Sequence, residues 1–206
     1  MLIAFEGGEG SGKGTQIEML KKSLANLGYD VLDIIEPGGT PVGQTIRNIL
    51  LDRKDLDILG ITEVFLFSAS RAQQVRTVTR PALKQGKIVL SDRSFYSTYA
   101  YQGAGRRQPK ELLEQLTSFA VGETTPDLVI LLDLSPEVGL ARKKDQNKIN
   151  RLDAETLEFH KNVRDAYLTM AETNPKLWRV VNAETGVEEI HSRIKTIVFE
   201  ALKIDR

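Results

Sequence analysis

Two rhythms of apolar residues alternate along this chain. Short β-branched runs at Leu2 to Phe5, Val31 to Ile35, Ile88 to Leu90, Leu128 to Leu132 and Val180 to Val181 predict five strands. The longer segments between them carry apolar residues at helical spacing, as at Ile17, Leu20, Leu24 and Leu27. They predict helices over Thr15 to Leu27, Val42 to Leu51, Thr62 to Lys84, Pro109 to Val121, Pro136 to Lys144, Ala154 to Thr173 and Val187 to Leu202. Strands alternating with helices make βαβ units, so the fold class expected is α/β, a five-stranded parallel sheet flanked by helices on both faces. Gly28, Gly86, Gly122 and Gly186 punctuate the pattern, and no repeat or low-complexity tract interrupts it. One domain spanning 1–206 is expected, with ligands at the carboxyl ends of the strands.

The first strand runs straight into Gly7-Gly8-Glu9-Gly10-Ser11-Gly12-Lys13-Gly14-Thr15, and a predicted helix follows. Strand, glycine loop and helix in that order predict a phosphate-binding loop. Glycines at 7, 8, 10 and 12 let the backbone take positive φ and turn its amides onto an anion. Lys13 adds a mobile point charge, and the helix N-terminus points at the same phosphates. Gly14 stands where this motif places a Ser or Thr hydroxyl for Mg²⁺, which leaves that contact to Thr15 or to a water.

The second and third strands end in Glu36-Pro37-Gly38-Gly39-Thr40 and Ser91-Asp92-Arg93-Ser94. Asp92 is the favoured Mg²⁺ carboxylate, directly or through water, because Arg93 beside it supplies a fork for a second phosphate. Asp133 competes by pattern alone. Phe67 and Arg71 share a helix face on which a base could stack and be hydrogen-bonded, although a Phe at that spacing is more often core. Thr98, Tyr101 and Gln102 also fall at helical spacing, and an amide offers the donor and acceptor that a base edge requires. The run Arg142 to Arg151 is basic and lies between two predicted helices. It is either a solvated linker or a lid whose cations join Lys13 on the phosphates.

Composition narrows the partners. In 206 residues, Lys plus Arg and Asp plus Glu balance at 28 each, so no global field draws a nucleic acid. Without Cys, and with only His160 and His191, neither disulfides nor a zinc site is expected. No signal peptide or membrane span is legible, so the expected location is the cytoplasm.

Taken together, the loop at 7 to 15, Glu36-Pro37-Gly38-Gly39-Thr40, Phe65 to Arg76, Asp92-Arg93, Tyr101-Gln102-Gly103 and Asn150-Arg151-Leu152-Asp153 resemble the bacterial thymidylate kinases, P-loop nucleoside monophosphate kinases. The resemblance covers nearly the whole chain and implies a Rossmann-like P-loop kinase fold and a homodimer. The reaction it implies is ATP- and Mg²⁺-dependent phosphorylation of dTMP to dTDP. It further implies that Phe67 stacks on thymine, that Arg71 and Gln102 read its polar edge with Thr98 nearby, and that Tyr101 sits against the deoxyribose. Glu9 would lie near the 3′-hydroxyl, while Arg47 and Arg93 would hold the acceptor phosphate beside Glu36. Lys13, Arg93, Arg142 and Arg151 would be the catalytic cations, the last two in a lid at about 142–153.

Ile35 departs from the family pattern, in which many relatives carry Arg before the Glu36 position. Three other readings remain: a kinase for another monophosphate such as dUMP, AMP or CMP; a GTPase switch, to which Asn147-Lys148-Ile149-Asn150 bears a superficial likeness; and a non-catalytic nucleotide-binding protein.

Overall fold

The computed structural model describes residues 1–145 and 149–204. The elements run β1 (Leu2–Glu6), α1 (Lys13–Ala25), β2 (Val31–Ile35), α2 (Pro41–Arg47), α3 (Gly60–Gln74), α4 (Arg80–Lys84), β3 (Ile88–Asp92), α5 (Phe95–Thr98), α6 (Lys110–Val121), β4 (Leu128–Asp133), α7 (Pro136–Asp145), α8 (Leu157–Thr173), β5 (Trp178–Asn182) and α9 (Val187–Leu202). The five strands are parallel, in the order β2-β3-β1-β4-β5.

Period-two alternation in β1 divides the core. Ile3 and Phe5 point to one face, where Leu20 and Leu24 of α1 and Ile190, Ile194 and Val198 of α9 cover them. Ala4 points to the other, with Val129 and Leu131, under Ile46 of α2 and Phe159, Val163 and Tyr167 of α8. β1, β3 and β4, buried on both faces, read as unbroken apolar runs, which is why the sequence pattern located them.

The helical pattern over Thr62 to Lys84 corresponds to α3 and α4 joined by a π-helical turn, Val75–Thr79. Pro81 has no amide hydrogen for the carbonyl four residues earlier, and a wide turn absorbs that mismatch. A similar turn, Asn48–Asp52, extends α2. The pattern did not delimit α5 and its π-helical continuation, Tyr99–Gly105, as a helix, because several of its residues line a cleft and break the apolar period.

Register positions the strand ends. Asp92 pairs with Phe5 on one side and with Ile35 on the other. The loop after β1, the Glu36 segment and Asp92-Arg93 therefore emerge together at one edge, where β1 lies between β3 and β4.

Candidate active site

A cleft of about 330 Å³ opens at that edge and is lined by the loop, Glu36, Asp92, Arg93, Phe67 and Gln102 among others. At its loop end, Gly7, Gly10 and Gly12 have φ of 141°, 66° and 89°. Gly8 does not share the positive φ expected of it from sequence. Gly10 abuts Gly139 of α7, and a Cβ on either would strike the other segment's backbone. Lys13 folds back over the loop, its Nζ donating to Gly7 O at 3.1 Å, Gly8 O at 3.0 Å and Ser11 Oγ at 3.2 Å. Burial, and then Arg93, bring its pKa down to about 8 against the pull of Asp92, Glu9 and Glu6.

Arg93 occupies the centre, with a left-handed φ of 75° that is uncommon for a residue with a side chain. Its Nη2 donates to Glu9 Oε1 at 2.7 Å and to Tyr101 Oη at 3.0 Å, and its guanidinium lies 4.9 Å from the centre of the Tyr101 ring. Its Nη1 reaches Gly7 O at 3.2 Å and Ser97 Oγ and Tyr167 Oη at 3.3 Å each. Tyr101 Oη also donates to Glu9 Oε1, at 2.7 Å. Burial alone would raise the Glu9 pKa, but Arg93, Lys13 and Lys143 hold it down to about 2. Beneath Arg93, the buried Glu6 accepts from Ser94 N at 2.8 Å, Ser97 Oγ at 2.7 Å and Tyr167 Oη at 2.8 Å. Burial pushes its carboxyl group up while these bonds and Arg93 oppose the shift.

At the far end, Phe67 and Arg71 line the cleft together, as their shared helix face predicts. Arg71 Nε donates to Glu36 Oε2 at 2.7 Å and Nη2 to Thr98 Oγ1 at 3.0 Å, whereas its buried Nη1 has no hydrogen-bond partner. A buried guanidinium nitrogen in that condition marks a place for a ligand acceptor. Gln102, also lining the cleft, donates from Nε2 to Glu63 Oε2 at 3.1 Å. Arg47 sits at the cleft wall with Nη1 on Pro37 O at 2.8 Å.

The described cations of the basic segment take different places. Arg142 does not line the cleft; its Nη1 lies 3.3 Å from both Gly10 O and Ala183 O. Arg151 is also outside the lining, donating from Nε to Leu50 O at 2.8 Å and from Nη2 to Glu63 Oε1 at 2.7 Å. Both guanidinium groups donate to backbone or carboxylate oxygens outside the cleft lining. Lys143 lines the cleft instead, with Nζ 3.2 Å from Asp153 Oδ2 and 3.8 Å from Glu9 Oε2. Lys148 and the Asn147-Lys148 pair of the GTPase-like string lie outside the described residues.

The two candidate metal carboxylates also separate. Asp133 forms a two-pronged ion pair with Arg164 at 2.7 and 2.9 Å and does not line the cleft. Asp92 lines it, as does Thr15. Among the described residues, no group of three His, Cys, Asp or Glu side chains could hold a metal ion. A single carboxylate fits a divalent cation whose remaining ligands are phosphate oxygens and water, not one caged by protein.

Comparison with known proteins decides the family. A model of the thymidylate kinase family matches residues 5–194. The chain belongs to that family. A thymidylate kinase from Maridesulfovibrio salexigens is 46% identical over 212 residues, covering 100% of this chain and 98% of its own. One from Thermomicrobium roseum is 46% identical over 205 residues, covering 99% and 97%. The crystal structure of thymidylate kinase from Ehrlichia chaffeensis superposes with a TM-score of 0.78 at 29% identity, over 96% of this chain and 97% of that one. Within the thymidylate kinase family this chain is thus an enzyme, a phosphotransferase, and its α/β sheet is the family's P-loop fold.

Sequence reasoning did not single out several residues of this thymidylate kinase-family cleft. Ser97 and Tyr167 hold Arg93 from below and are themselves held by Glu6, Glu63 holds Gln102, and Gly139 makes room for the loop. Glu6 had a signal: an acidic residue ending an apolar strand is either paired or functional. Glu63 had none, because a lone Glu in the first turn of a helix looks solvated.

Proposed function

We propose that this chain transfers the γ-phosphoryl group of ATP to the 5′-phosphate of dTMP, giving dTDP and ADP on the route to dTTP for DNA synthesis. The observation that carries this reading is the layout of one cleft: the Lys13 loop at one end, an aromatic with Arg71 and Gln102 at the other, and Arg93 between. The attacking phosphate oxygen is already anionic, so the reaction needs alignment and charge neutralisation without a general base. Loop amides and Lys13 hold the donor phosphates, and Arg93 with Arg47 holds the acceptor phosphate beside Glu36. Phe67 stacks on the base, Arg71 and Gln102 bond its edge near Thr98, and Tyr101 and Glu9 meet the deoxyribose. Lys143, a described residue of the basic segment that lines the cleft, joins Arg142 and Arg151 as a cation for the moving phosphoryl group.

Mg²⁺ is the divalent ion of this reading; Asp92 would hold it, directly or through water, with Thr15 the nearest hydroxyl candidate in the loop. Bound there, it would neutralise phosphate charge. The whole chain acts as one domain. It works in the cytoplasm; no helix among the described residues is long and apolar enough to cross a membrane. A homodimer is supported by Phe65 of α3 and Phe119 of α6, which are 53% and 77% exposed on helices that pack together.

The test is ADP release by purified protein with Mg-ATP and dTMP, dUMP, AMP, CMP or no acceptor. Dependence on dTMP is the expected result. A preference for AMP or CMP, or equal release without acceptor, would overturn the reading.

A further inference from the structure

Glu63 lines no part of the cleft, yet it is fully buried on α3 and sits at the meeting point of three side chains. Oε1 accepts from Arg106 Nη2 at 3.1 Å and from Arg151 Nη2 at 2.7 Å. Oε2 accepts from Arg106 Nε at 3.3 Å and from Gln102 Nε2 at 3.1 Å. Guanidinium groups only donate, so a carboxyl group facing two of them is a carboxylate and offers acceptors alone. The Gln102 amide therefore has one way to face Glu63, with its NH₂ group. Its oxygen is turned to the other side, and no group among the described residues donates to it.

Gln102 and Arg71 line the same end of the cleft and are linked through Thr98, one helical turn before Gln102 and bonded to Arg71 Nη2 at 3.0 Å. That end consequently presents an acceptor, Gln102 Oε1, beside the amide nitrogen that Glu63 holds, and one buried unmatched donor, Arg71 Nη1. A base edge with a ring N–H beside a carbonyl oxygen satisfies both. The cytosine edge, a ring nitrogen acceptor beside an amino donor, meets acceptor with acceptor and donor with donor.

We propose that Glu63 is a positioning residue for base selection: through its carboxylate it locks the Gln102 amide with oxygen toward the cleft, and so selects the imide edge of thymine or uracil over cytosine. The inference rests on the reading that the cleft takes dTMP. Arg106 and Arg151 serve it by keeping Glu63 an acceptor on both oxygens. Binding one edge and leaving buried polar groups unpaired against the other is an effective source of discrimination.

The experiment measures kcat/KM for dTMP and for dCMP with Mg-ATP in the wild type, Glu63→Gln and Glu63→Asp. In Glu63→Gln the new amide can donate to Gln102, which is then free to turn over, and the dTMP-to-dCMP ratio is expected to fall about tenfold or more. Glu63→Asp keeps an acceptor-only partner and is expected to hold the ratio within about threefold of wild type. Equal losses on both substrates, with the ratio unchanged in Glu63→Gln, would make Glu63 merely structural and overturn the proposal. Where Glu63→Gln does not fold, the wild type with N3-methyl-dTMP decides: a loss of about 100-fold or more supports an inward oxygen, and turnover equal to dTMP overturns it. A wild type that turns over dCMP and not dTMP overturns the functional reading itself, a result distinct from any variant effect.

Discussion

Arg93 at the end of β3 and Glu9 in the phosphate loop form a 2.7 Å ion pair that joins the two halves of the cleft. Both side chains are largely buried, so the pair is shielded from screening, and its partners on either side are polar groups of the same cleft. Arg93 is thus a fixed fork, Nη2 on Glu9 and Tyr101 and Nη1 on Gly7 O, Ser97 and Tyr167, set at the cleft wall where the acceptor phosphate is proposed to bind. Arg93→Ala is expected to lower kcat by about 10² to 10³ while the protein stays folded, as steady-state rates and circular dichroism would report. An unchanged kcat would remove Arg93 from the mechanism.

The same pair makes stability depend on acid. Glu9 titrates near 2 in the folded chain against an ordinary value of 4.5, so the folded state binds fewer protons in that window. The stabilisation from Glu9 is fully present above about 4.5 and is lost as pH falls from there toward 2. Glu9→Gln should therefore be less stable than wild type at pH 6, with the Tm gap closing on acidification. A gap independent of pH would contradict this assignment.

Lys13 gives the opposite limb. Its folded pKa of about 8 lies below the ordinary 10.5, so the unfolded chain binds more protons between them and Lys13 contributes rising stability from pH 8 to 10.5. Activity runs the other way, because neutral Lys13 no longer attracts phosphate: kcat/KM for ATP is expected to fall as pH rises past about 8. The residual activity of Lys13→Arg should lack that limb, since a guanidinium does not titrate in this range. A wild-type profile flat to pH 9.5 would be inconsistent with a titrating Lys13.

Gly139 is close to the loop without being part of it. A Cβ there would strike Glu9 O, and a Cβ on Gly10 would strike Gly139 O, so two glycines from distant segments make the approach of α7 possible. Gly139→Ala is expected to cost about 1–3 kcal/mol by overpacking. It should also raise KM for ATP more than KM for dTMP, because the displaced backbone belongs to the phosphate loop. Equal changes in the two constants would show that the strain is absorbed elsewhere.

Phe119 tests the assembly. It is 77% exposed, its backbone oxygen bonds Arg76 Nη2 at 2.8 Å, and its side chain points outward. Phe119→Asp should give a monomer by light scattering at micromolar concentration from a dimeric wild type. A dimer in both would place the interface on another face.

The amino-acid sequence by itself determined the five strands, most of the helices and the loop that follows β1. Those depend on local periodicity and on glycines at fixed offsets, which a linear chain displays openly. It also located the segments that line the cleft, since strand ends in a parallel sheet converge whatever the details. What only the tertiary structure decided is where long polar side chains end. The sequence does not show that Arg142 ends on Gly10 O and Ala183 O, or Arg151 on Leu50 O and Glu63. Asp92 and Asp133 both end apolar strands, and the presence of Arg164 beside one of them separates their fates. Glu63 acquires its place only when α3, the turn at Gln102 and the segment at Arg151 pack together. Burial is written in the spacing of apolar residues, whereas the partner of a charge is chosen by residues distant in sequence that folding brings within hydrogen-bonding distance.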